Sequence, residues 1–222
     1  MGDFLPARNL PLLIEAVSQR RSPAGLLLVG DGASRPRLES LASRRGLDGK
    51  AKFVGRVPHA QVPAYLNAMD IFVLPSKPVR NRCFGLFHIA NAEQFGRVLV
   101  EAMACGKPVV GSSCGEIPNV IGNAGRVFPE GDVAALARVL DELCSDLSLR
   151  EQLGQRGLAR ARAHYDWRVI AARFLAEVQK MLAPVPAGPP RVGRACLRPP
   201  PAPRGTEAWA REKVGAGGRA AR

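Results

Sequence analysis

The sequence has few aromatic residues and no long apolar run. Phe, Trp and Tyr make up 5% of its 222 residues, and no stretch approaches the roughly 18 apolar residues that a membrane-spanning helix needs. The first residues also lack the basic and then apolar pattern of a secretory signal. We therefore expect no transmembrane helix and a cytoplasmic location.

Disulfide and metal-site patterns are missing as well. The five cysteines form no C-x-x-C pair, there is no Asp-x-Asp pair, and the three histidines lack the spacing of metal ligands. These patterns are typical of zinc and calcium sites and of secreted disulfide frameworks. We predict reduced thiols, no metal and no cofactor.

What the sequence does have is an excess of positive charge, +13 overall. Eight of the 32 basic and two of the 19 acidic residues fall in residues 183–222, together with 8 of the 19 prolines. This composition predicts a disordered basic tail. Nucleic-acid binding by charge alone remains an alternative that predicts steep salt dependence. It is disfavoured because only Trp209 is available there for stacking on bases.

Short apolar runs alternate with segments of helical period through most of the chain. The predicted strands cover residues 26–29, 52–54, 71–74, 108–110 and 126–128, each followed by Gly, Pro or Ser. The predicted helices cover residues 10–20, 35–45, 60–68, 97–105, 117–121, 133–145, 149–163 and 167–182. This order predicts a doubly wound α/β domain over residues 1–182, with ligands bound beyond the carboxyl ends of its parallel strands.

Gly30-Asp31-Gly32 follows the first of these strands. Its backbone N–H groups could approach a phosphate, but an ordinary tight turn would have the same sequence. Neither G-x-G-x-x-G nor the P-loop pattern G-x-x-x-x-G-K-[ST] is present. Dinucleotide-dependent dehydrogenases and P-loop kinases are therefore disfavoured.

The most informative stretch begins at Glu93. Gly96 follows an aromatic residue and opens a helix whose N-terminus can hold an anion, with Glu101 just over one turn into the helix. A carboxylate repels a nearby phosphate unless it is turned toward hydroxyl groups. Two carboxylates beside one anion site therefore suit a ligand that has a sugar on each side of a diphosphate. The alternative is that Glu93 and Glu101 are ordinary surface acids.

The E-x7-E spacing of Glu93 and Glu101, followed by E-A-M-A-C-G-K-P-V-V, resembles a signature of the family-4-like retaining glycosyltransferases. Other segments resemble that family in the same order, among them LLLVGDG, KFVGRVPHAQVPAYLNAMDIFVLPS, SSCGEIPNVI, GRVFPEGDVAAL and HYDWRVIAARFLAEV. The resemblance covers the C-terminal, donor-binding domain of the two-domain GT-B fold. It implies metal-free transfer of a hexosyl group from a nucleotide diphospho-sugar (UDP or GDP) to a glycan or lipid-linked acceptor, as in polysaccharide biosynthesis.

The resemblance also implies roles for individual residues. Glu93 and Arg8 would be catalytic, Glu93 on the donor sugar and Arg8 on the diphosphate, and Glu101 would hold the ribose. The remaining implied donor-binding residues contact the sugar, phosphates or base through backbone or apolar groups; they are Gly30, Val54, Gly55, Val57, Phe95, Gly96, Arg97 and Val98.

The sequence departs from the family pattern in three ways. Asp3 stands where the family has an arginine that neutralises the diphosphate, residues 77–92 form a longer connection than usual, and the first strand and the N-terminal acceptor-binding domain have no counterpart. We therefore expect donor binding without efficient transfer by this chain alone, with at most peripheral contact with the inner membrane face. A truncated or non-catalytic nucleotide-sugar-binding module is the alternative. A nucleotide-sugar epimerase or a phosphorylase-like enzyme of the same fold is a nearby rival. A phosphorylase would be expected to carry a pyridoxal-binding lysine, and no segment resembles that site.

Overall fold

Strands and helices alternate along the chain. A computed structural model describes residues 2–20, 24–83 and 87–182, with the backbone alone for 80–83 and 87–91. The strands are β1 (Leu26–Val29), β2 (Ala51–Gly55), β3 (Phe72–Leu74), β4 (Val79–Cys83), β5 (Phe87–Asn91), β6 (Val109–Ser112) and β7 (Gly125–Phe128). The helices are α1 (Leu10–Ser18), α2 (Arg35–Arg44), α3 (Val62–Asn67), α4 (Arg97–Ala104), α5 (Ile117–Ile121), α6 (Val133–Ser145), α7 (Leu147–Arg160) and α8 (Trp167–Leu182).

The five predicted strands are present and parallel. β1 pairs with β2, while β6 lies between β3 and β7. The predicted α/β class with parallel strands and C-terminal helices is therefore confirmed. Within the described ranges, however, the parallel strands fall into two separate groups, because no ladder joins β1 to β3.

The connection over residues 77–92 contains an antiparallel hairpin that the apolar pattern did not predict. β4 and β5 pair with each other from Val79 opposite Asn91 to Cys83 opposite Phe87. The hairpin leaves β3 and returns to the chain just before Glu93. Its position at the carboxyl end of a parallel strand places it on the side of the sheet where ligands bind in this fold class.

Two hydrophobic cores cover opposite faces of the strands. One contains Ile14 of α1, Leu28 of β1 and Leu136 of α6, and the other contains Leu74 of β3, Leu99 of α4 and Ile117 of α5. Adjacent residues of β6 divide between them, with Val110 in the first core and Val109 in the second. Side chains alternate across a strand, so helices on both faces are what this division requires.

Of the two helices that follow β7, α6 begins at the predicted residue, Val133, whereas α7 begins at Leu147, two residues before its predicted start. Asp132 caps α6 by accepting a hydrogen bond from the Ala135 N–H at 2.8 Å, and Asp146 caps α7 in the same way from Leu149. Such caps satisfy N–H groups that have no partner within the helix. No described helix is both long enough and apolar enough to cross a membrane.

The chain divides into two units, residues 1–178 and 179–222. The first contains every element up to α8, and the described part of the second, 179–182, is helical. Residues 183–222, where the basic tail is predicted, lie outside the described residues. The predicted boundary at 182 therefore stays a prediction.

Candidate functional site

A cleft of about 730 Å³ opens at the carboxyl ends of the parallel strands. This volume is typical of sites for nucleotide-sized ligands. Nine of the residues that the sequence singled out line it: Arg8, Gly30, Val57, Glu93, Phe95, Gly96, Arg97, Val98 and Glu101. Val54 and Gly55 do not line it, because β2 continues through them and Arg56 and His59 reach the cleft instead.

One side of the cleft, which we call the α4 wall, consists of Glu93, residues 95–98 and Glu101. Gly96 immediately precedes α4 in a left-handed conformation, with φ of 73°. A Cβ atom there would lie 3.1 Å from side-chain atoms of both Leu74 and Leu99. Only glycine combines that backbone conformation with so close an approach to the core. The first N–H groups of α4 therefore lie at the cleft, where helix N-termini favour anions.

Phe95 is held against the C-terminal helices. Its ring meets that of Tyr165 edge to face, with centroids 5.5 Å apart, and Arg160 lies over the Tyr165 ring. Phe95 remains 39% exposed. Its outer face is thus available to a ligand while its inner edge is fixed by an aromatic contact.

Glu93 is held at both its side chain and its backbone. Arg8 forms an ion pair with the Glu93 carboxylate, and the Ser76 hydroxyl donates to the same carboxylate at 3.1 Å. The Glu93 side chain is only 16% exposed. The two residues predicted to be catalytic are therefore in contact, although 85 positions separate them in the sequence.

The loop after β6 holds the Glu93 backbone. The Glu116 N–H donates to the Glu93 carbonyl at 3.0 Å. At Gly115, which has φ of 56°, a Cβ atom would lie 2.1 Å from that carbonyl oxygen. Gly115 therefore lets this loop pack against Glu93. The sequence motifs assign no role to Gly115, although a glycine just before a short helix is a signal of a close backbone approach.

Other residues of the cleft lining come from the start of the chain and from the end of β2. We call this part the strand-end wall, and it includes Asp3, Arg8, Arg56, Val57 and His59. Asp3 and Arg56 form an ion pair of 3.1 Å, with side chains 60% and 74% exposed. Asp3, which stands where the family has an arginine, is thus paired with Arg56 at the end of β2. Position-by-position comparison with the family pattern could not find Arg56, because the pairing spans 53 residues.

Only glycine fits at position 30, because the backbone of the first residues of the chain lies against it. Gly30 has φ of 138°, and a Cβ atom there would lie 1.8 Å from the Gly2 carbonyl oxygen. The Asp31 side chain accepts a hydrogen bond from the Gly32 N–H at 2.8 Å. The Arg35 N–H donates to the Gly32 carbonyl at 2.9 Å, which closes a turn directly after this segment. The hydrogen-bonded turn thus begins at Gly32, while Gly30 lies at the end of β1 and lines the cleft.

The cleft combines three cations with three carboxylates and one helix N-terminus. Arg8, Arg56 and Arg97 face the same space as Asp3, Glu93 and Glu101. Such a site can hold a diphosphate through the cations and N–H groups, and hydroxyl groups through the carboxylates. Among the described residues, no group of three or more His, Cys, Asp or Glu side chains is placed to hold a metal ion.

Parallel strands covered by helices on both faces, with a mixed-charge cleft at their carboxyl ends, define an α/β ligand-binding domain. The chain matches the family described as glycosyl transferases group 1 over residues 1–160. It belongs to that family. The resemblance inferred from the sequence motifs is therefore confirmed.

Individual relatives agree with this membership. A GDP-mannose-dependent monoacylated alpha-(1-6)-phosphatidylinositol monomannoside mannosyltransferase of Corynebacterium glutamicum is 34% identical over 175 residues, 77% of this chain and 44% of that protein. Sucrose-phosphate synthase from Thermosynechococcus elongatus superposes with a TM-score of 0.68 at 28% identity, covering 82% of this chain and 45% of that chain. HepE of Anabaena in complex with UDP superposes with a TM-score of 0.67 at 26% identity, covering 82% and 48%. The chain thus spans less than half the length of these relatives.

Proposed function

We propose that the chain is the donor-binding part of a retaining hexosyltransferase and that its cleft binds a nucleotide diphospho-sugar. The observation that supports this most directly is the α4 wall, where Glu93 and Glu101 flank a helix N-terminus in one cleft. Each carboxylate can accept hydrogen bonds from sugar hydroxyls, and the N–H groups between them can bind the diphosphate. The complex of HepE with UDP is consistent with this kind of ligand.

In the proposed reaction, the bond between the anomeric carbon and the diphosphate oxygen breaks. An acceptor hydroxyl bonds to the same carbon with retention of configuration and gives its proton to the departing diphosphate oxygen. Negative charge develops on the leaving diphosphate. Arg8, Arg97 and the N-terminus of α4 are placed to stabilise that charge without a metal ion. Arg8 must then exchange its contact with Glu93 for one with the diphosphate, which frees the Glu93 carboxylate for the donor sugar.

The acceptor in this proposal is a glycan or a lipid-linked sugar. The mannosyltransferase relative is named for a phosphatidylinositol mannoside, which is a glycan on a lipid. A cytoplasmic protein that touches the inner membrane face through such an acceptor fits this chemistry. Because the chain spans less than half of its relatives, we propose donor binding as its own activity and efficient transfer only with an acceptor-binding domain.

Calorimetric titration of the full chain with UDP, GDP and ADP tests donor binding. We expect at least one of them to bind, and Glu93→Gln to weaken a nucleotide sugar of the same base more than the free diphosphate. The reason is that Glu93 is assigned to the sugar and not to the nucleotide. Absence of binding by all three at millimolar concentration, in a chain with a cooperative unfolding transition, would contradict the proposal.

A non-catalytic nucleotide-sugar-binding module is the second candidate, and the Asp3 carboxylate in the cleft favours it. A negative charge beside a leaving diphosphate opposes the charge that develops in transfer. The two candidates differ in turnover. If the chain binds a donor but neither hydrolyses it nor transfers its sugar after an acceptor-binding domain is supplied, the non-catalytic function is the correct one.

A further inference from the structure

Phe95 is the aromatic residue of the α4 wall. It follows Glu93 by two positions and immediately precedes Gly96, at which α4 begins. The proposed function assigns Glu93 to the donor sugar and the N-terminus of α4 to the diphosphate. The Phe95 side chain, which is 39% exposed, therefore lies between the group assigned to the sugar and the group assigned to the phosphates.

The chemistry of the Phe95 ring differs from that of the charged side chains beside it. Glu93, Arg97 and Glu101 can recognise hydroxyl and phosphate groups. A hexose ring also has an apolar face of C–H groups, and the face of an aromatic side chain is complementary to such a surface. A free nucleoside diphosphate has no hexose. Contact with Phe95 would therefore favour the sugar-bearing donor over the diphosphate alone.

The Phe95 ring is held by a distant part of the chain. Residues Ala161–Tyr165 form a π-helical turn that directly follows α7. Such turns are wider than an α-helix, so they redirect the side chains at their end, and they are frequent at functional sites. Ala161 is 5% exposed and belongs to the same core as Leu99 of α4. At the end of this anchored turn, the Tyr165 ring meets Phe95 with the two ring planes 78° apart.

Arg160 fixes Tyr165 in turn. Its guanidinium lies 6.0 Å from the centroid of the Tyr165 ring, within the range of a cation–π contact. It also donates to the carbonyls of Val120 and Asn119 at 2.9 and 2.7 Å, near the C-terminal end of α5. A Cβ atom at Gly122, which has φ of 55°, would lie 2.7 Å from the Arg160 Cζ atom. Gly122 thus leaves room for the guanidinium that covers Tyr165.

We propose that Phe95 is a specificity-determining residue that packs against the donor sugar, and that Tyr165 is the positioning residue that holds its ring. This inference rests on the proposed function, because it places a nucleotide diphospho-sugar in the cleft. Tyr165 is not among the residues that line the cleft, so its effect on the ligand passes through Phe95. A ring that is free to turn away must be ordered when the sugar binds, and that cost weakens binding of the sugar but not of the diphosphate.

Calorimetric titration with two pairs of ligands, UDP with UDP-glucose and GDP with GDP-mannose, measures what the sugar contributes to binding. We expect Tyr165→Leu to weaken the nucleotide sugar about fivefold and to change the affinity for the free diphosphate less than about twofold. Tyr165→Phe keeps the ring and should bind both ligands as the unchanged chain does. Equal losses for both ligands in Tyr165→Leu, or no loss for either, would overturn the proposal.

Tyr65→Leu is the matched control. It makes the same substitution at the other tyrosine of the chain, which is also half-buried and lies on α3, outside the cleft lining. Its affinities for both ligands should equal those of the unchanged chain. A selective loss of the nucleotide sugar in this control would contradict the role given to Tyr165.

Phe95→Leu decides whether Tyr165 acts through Phe95. In a chain that already carries Phe95→Leu, Tyr165→Leu should weaken the nucleotide sugar less than about twofold further, because the contact between the rings is already absent. Losses that multiply in the double variant would show that Tyr165 supports the fold and does not position Phe95.

Fluorine NMR observes the same ring in the absence of a ligand. With 4-fluorophenylalanine in place of Phe95, we expect the fluorine signal of the folded chain to lie apart from that of the unfolded chain. Tyr165→Leu should move the signal toward its unfolded position, and Tyr165→Phe should leave it in place. If Tyr165→Leu does not fold, Arg160→Met replaces it and should move the signal in the same direction. A signal that neither variant moves would contradict the positioning role.

The two measurements separate this inference from the proposed function. If the unchanged chain binds neither pair of ligands, the proposed function is wrong, and the sugar contact of Phe95 is wrong with it. If the unchanged chain binds a nucleotide sugar and Tyr165→Leu binds it equally well, the donor site stands and only the role of Tyr165 is wrong.

Discussion

The two walls of the cleft are built by different means. The α4 wall is positioned by packing, since Gly96 lies against Leu99 of the core and Gly115 lies against the Glu93 backbone. The strand-end wall is positioned by an exposed ion pair between Asp3 and Arg56. Close packing transmits small changes in volume strongly, whereas exposed ion pairs contribute little and are weakened by salt. We therefore expect the α4 wall to be rigid and to tolerate substitutions poorly. We expect the side chains of the strand-end wall to tolerate substitutions and to change position more easily.

Gly115→Ala should have the largest effect, and it tests whether packing against the loop after β6 positions the α4 wall. Its Cβ would collide with the Glu93 carbonyl in addition to straining a left-handed backbone, so we expect a loss of about 3 kcal/mol in the free energy of unfolding, measured by urea denaturation. Gly131→Ala is the matched control, because Gly131 also has a positive φ but has open space around its Cβ position. It should lose about 1 kcal/mol. Equal losses in the two variants would show that the α4 wall is not packed against this loop.

Glu101→Ala probes the other end of the α4 wall. If Glu101 accepts hydrogen bonds from the ribose, its removal should weaken binding of the preferred nucleoside diphosphate about 10- to 100-fold by calorimetry. Glu151→Ala removes an exposed carboxylate of α7 that does not line the cleft, and it should leave the affinity unchanged. A similar affinity in both variants would contradict the assignment of Glu101.

Asp3→Asn tests the strand-end wall. It removes one negative charge from the cleft and releases Arg56, so affinity for a nucleoside diphosphate should rise about two- to fivefold at low salt. The gain should shrink as salt is added, because both side chains of the pair are exposed. A fall in affinity would mean that the ion pair shapes the site instead of opposing the ligand.

The smallest effect is expected at Cys114, which packs beside Glu93. Burial raises the pKa of the Cys114 thiol, so little reactive thiolate forms near neutral pH and alkylation should be slow. Reactivity should appear only as the pH rises above the ordinary range of a thiol, or when the protein unfolds. Mass spectrometry of alkylated peptides measures this. Fast alkylation of folded protein at pH 7 would indicate that the α4 wall opens readily.

Much of the fold could be predicted from the sequence. Each parallel strand is a short apolar run that ends in a turn residue, and the Asp132 cap of α6 is a local pattern of the same kind. The hairpin over residues 79–91 was not predicted, because Val79–Cys83 contains two arginines and an asparagine and has no apolar run. Its pairing depends on contacts between two segments, which a strand-by-strand search for apolar runs does not detect.

The candidate site divides in a similar way. Glu93 and Glu101 lie eight residues apart, and a loop followed by a helix brings them to one wall by local geometry. Arg8 and Ser76 could be associated with Glu93 only through the fold, because the three come from separate parts of the sheet edge. The roles assigned to the cleft residues, including Val54 and Gly55 outside its lining, stay predictions.

The sequence by itself determined the alternation of strands and helices, the glycine before α4 and the spacing of two carboxylates, because each depends on residues within a few turns of one another. Only the tertiary structure decided that Asp3 pairs with Arg56 and that Gly115 supports Glu93. Those features join segments that are distant along the chain. Their geometry depends on how the helices pack the strands together, which no local pattern encodes.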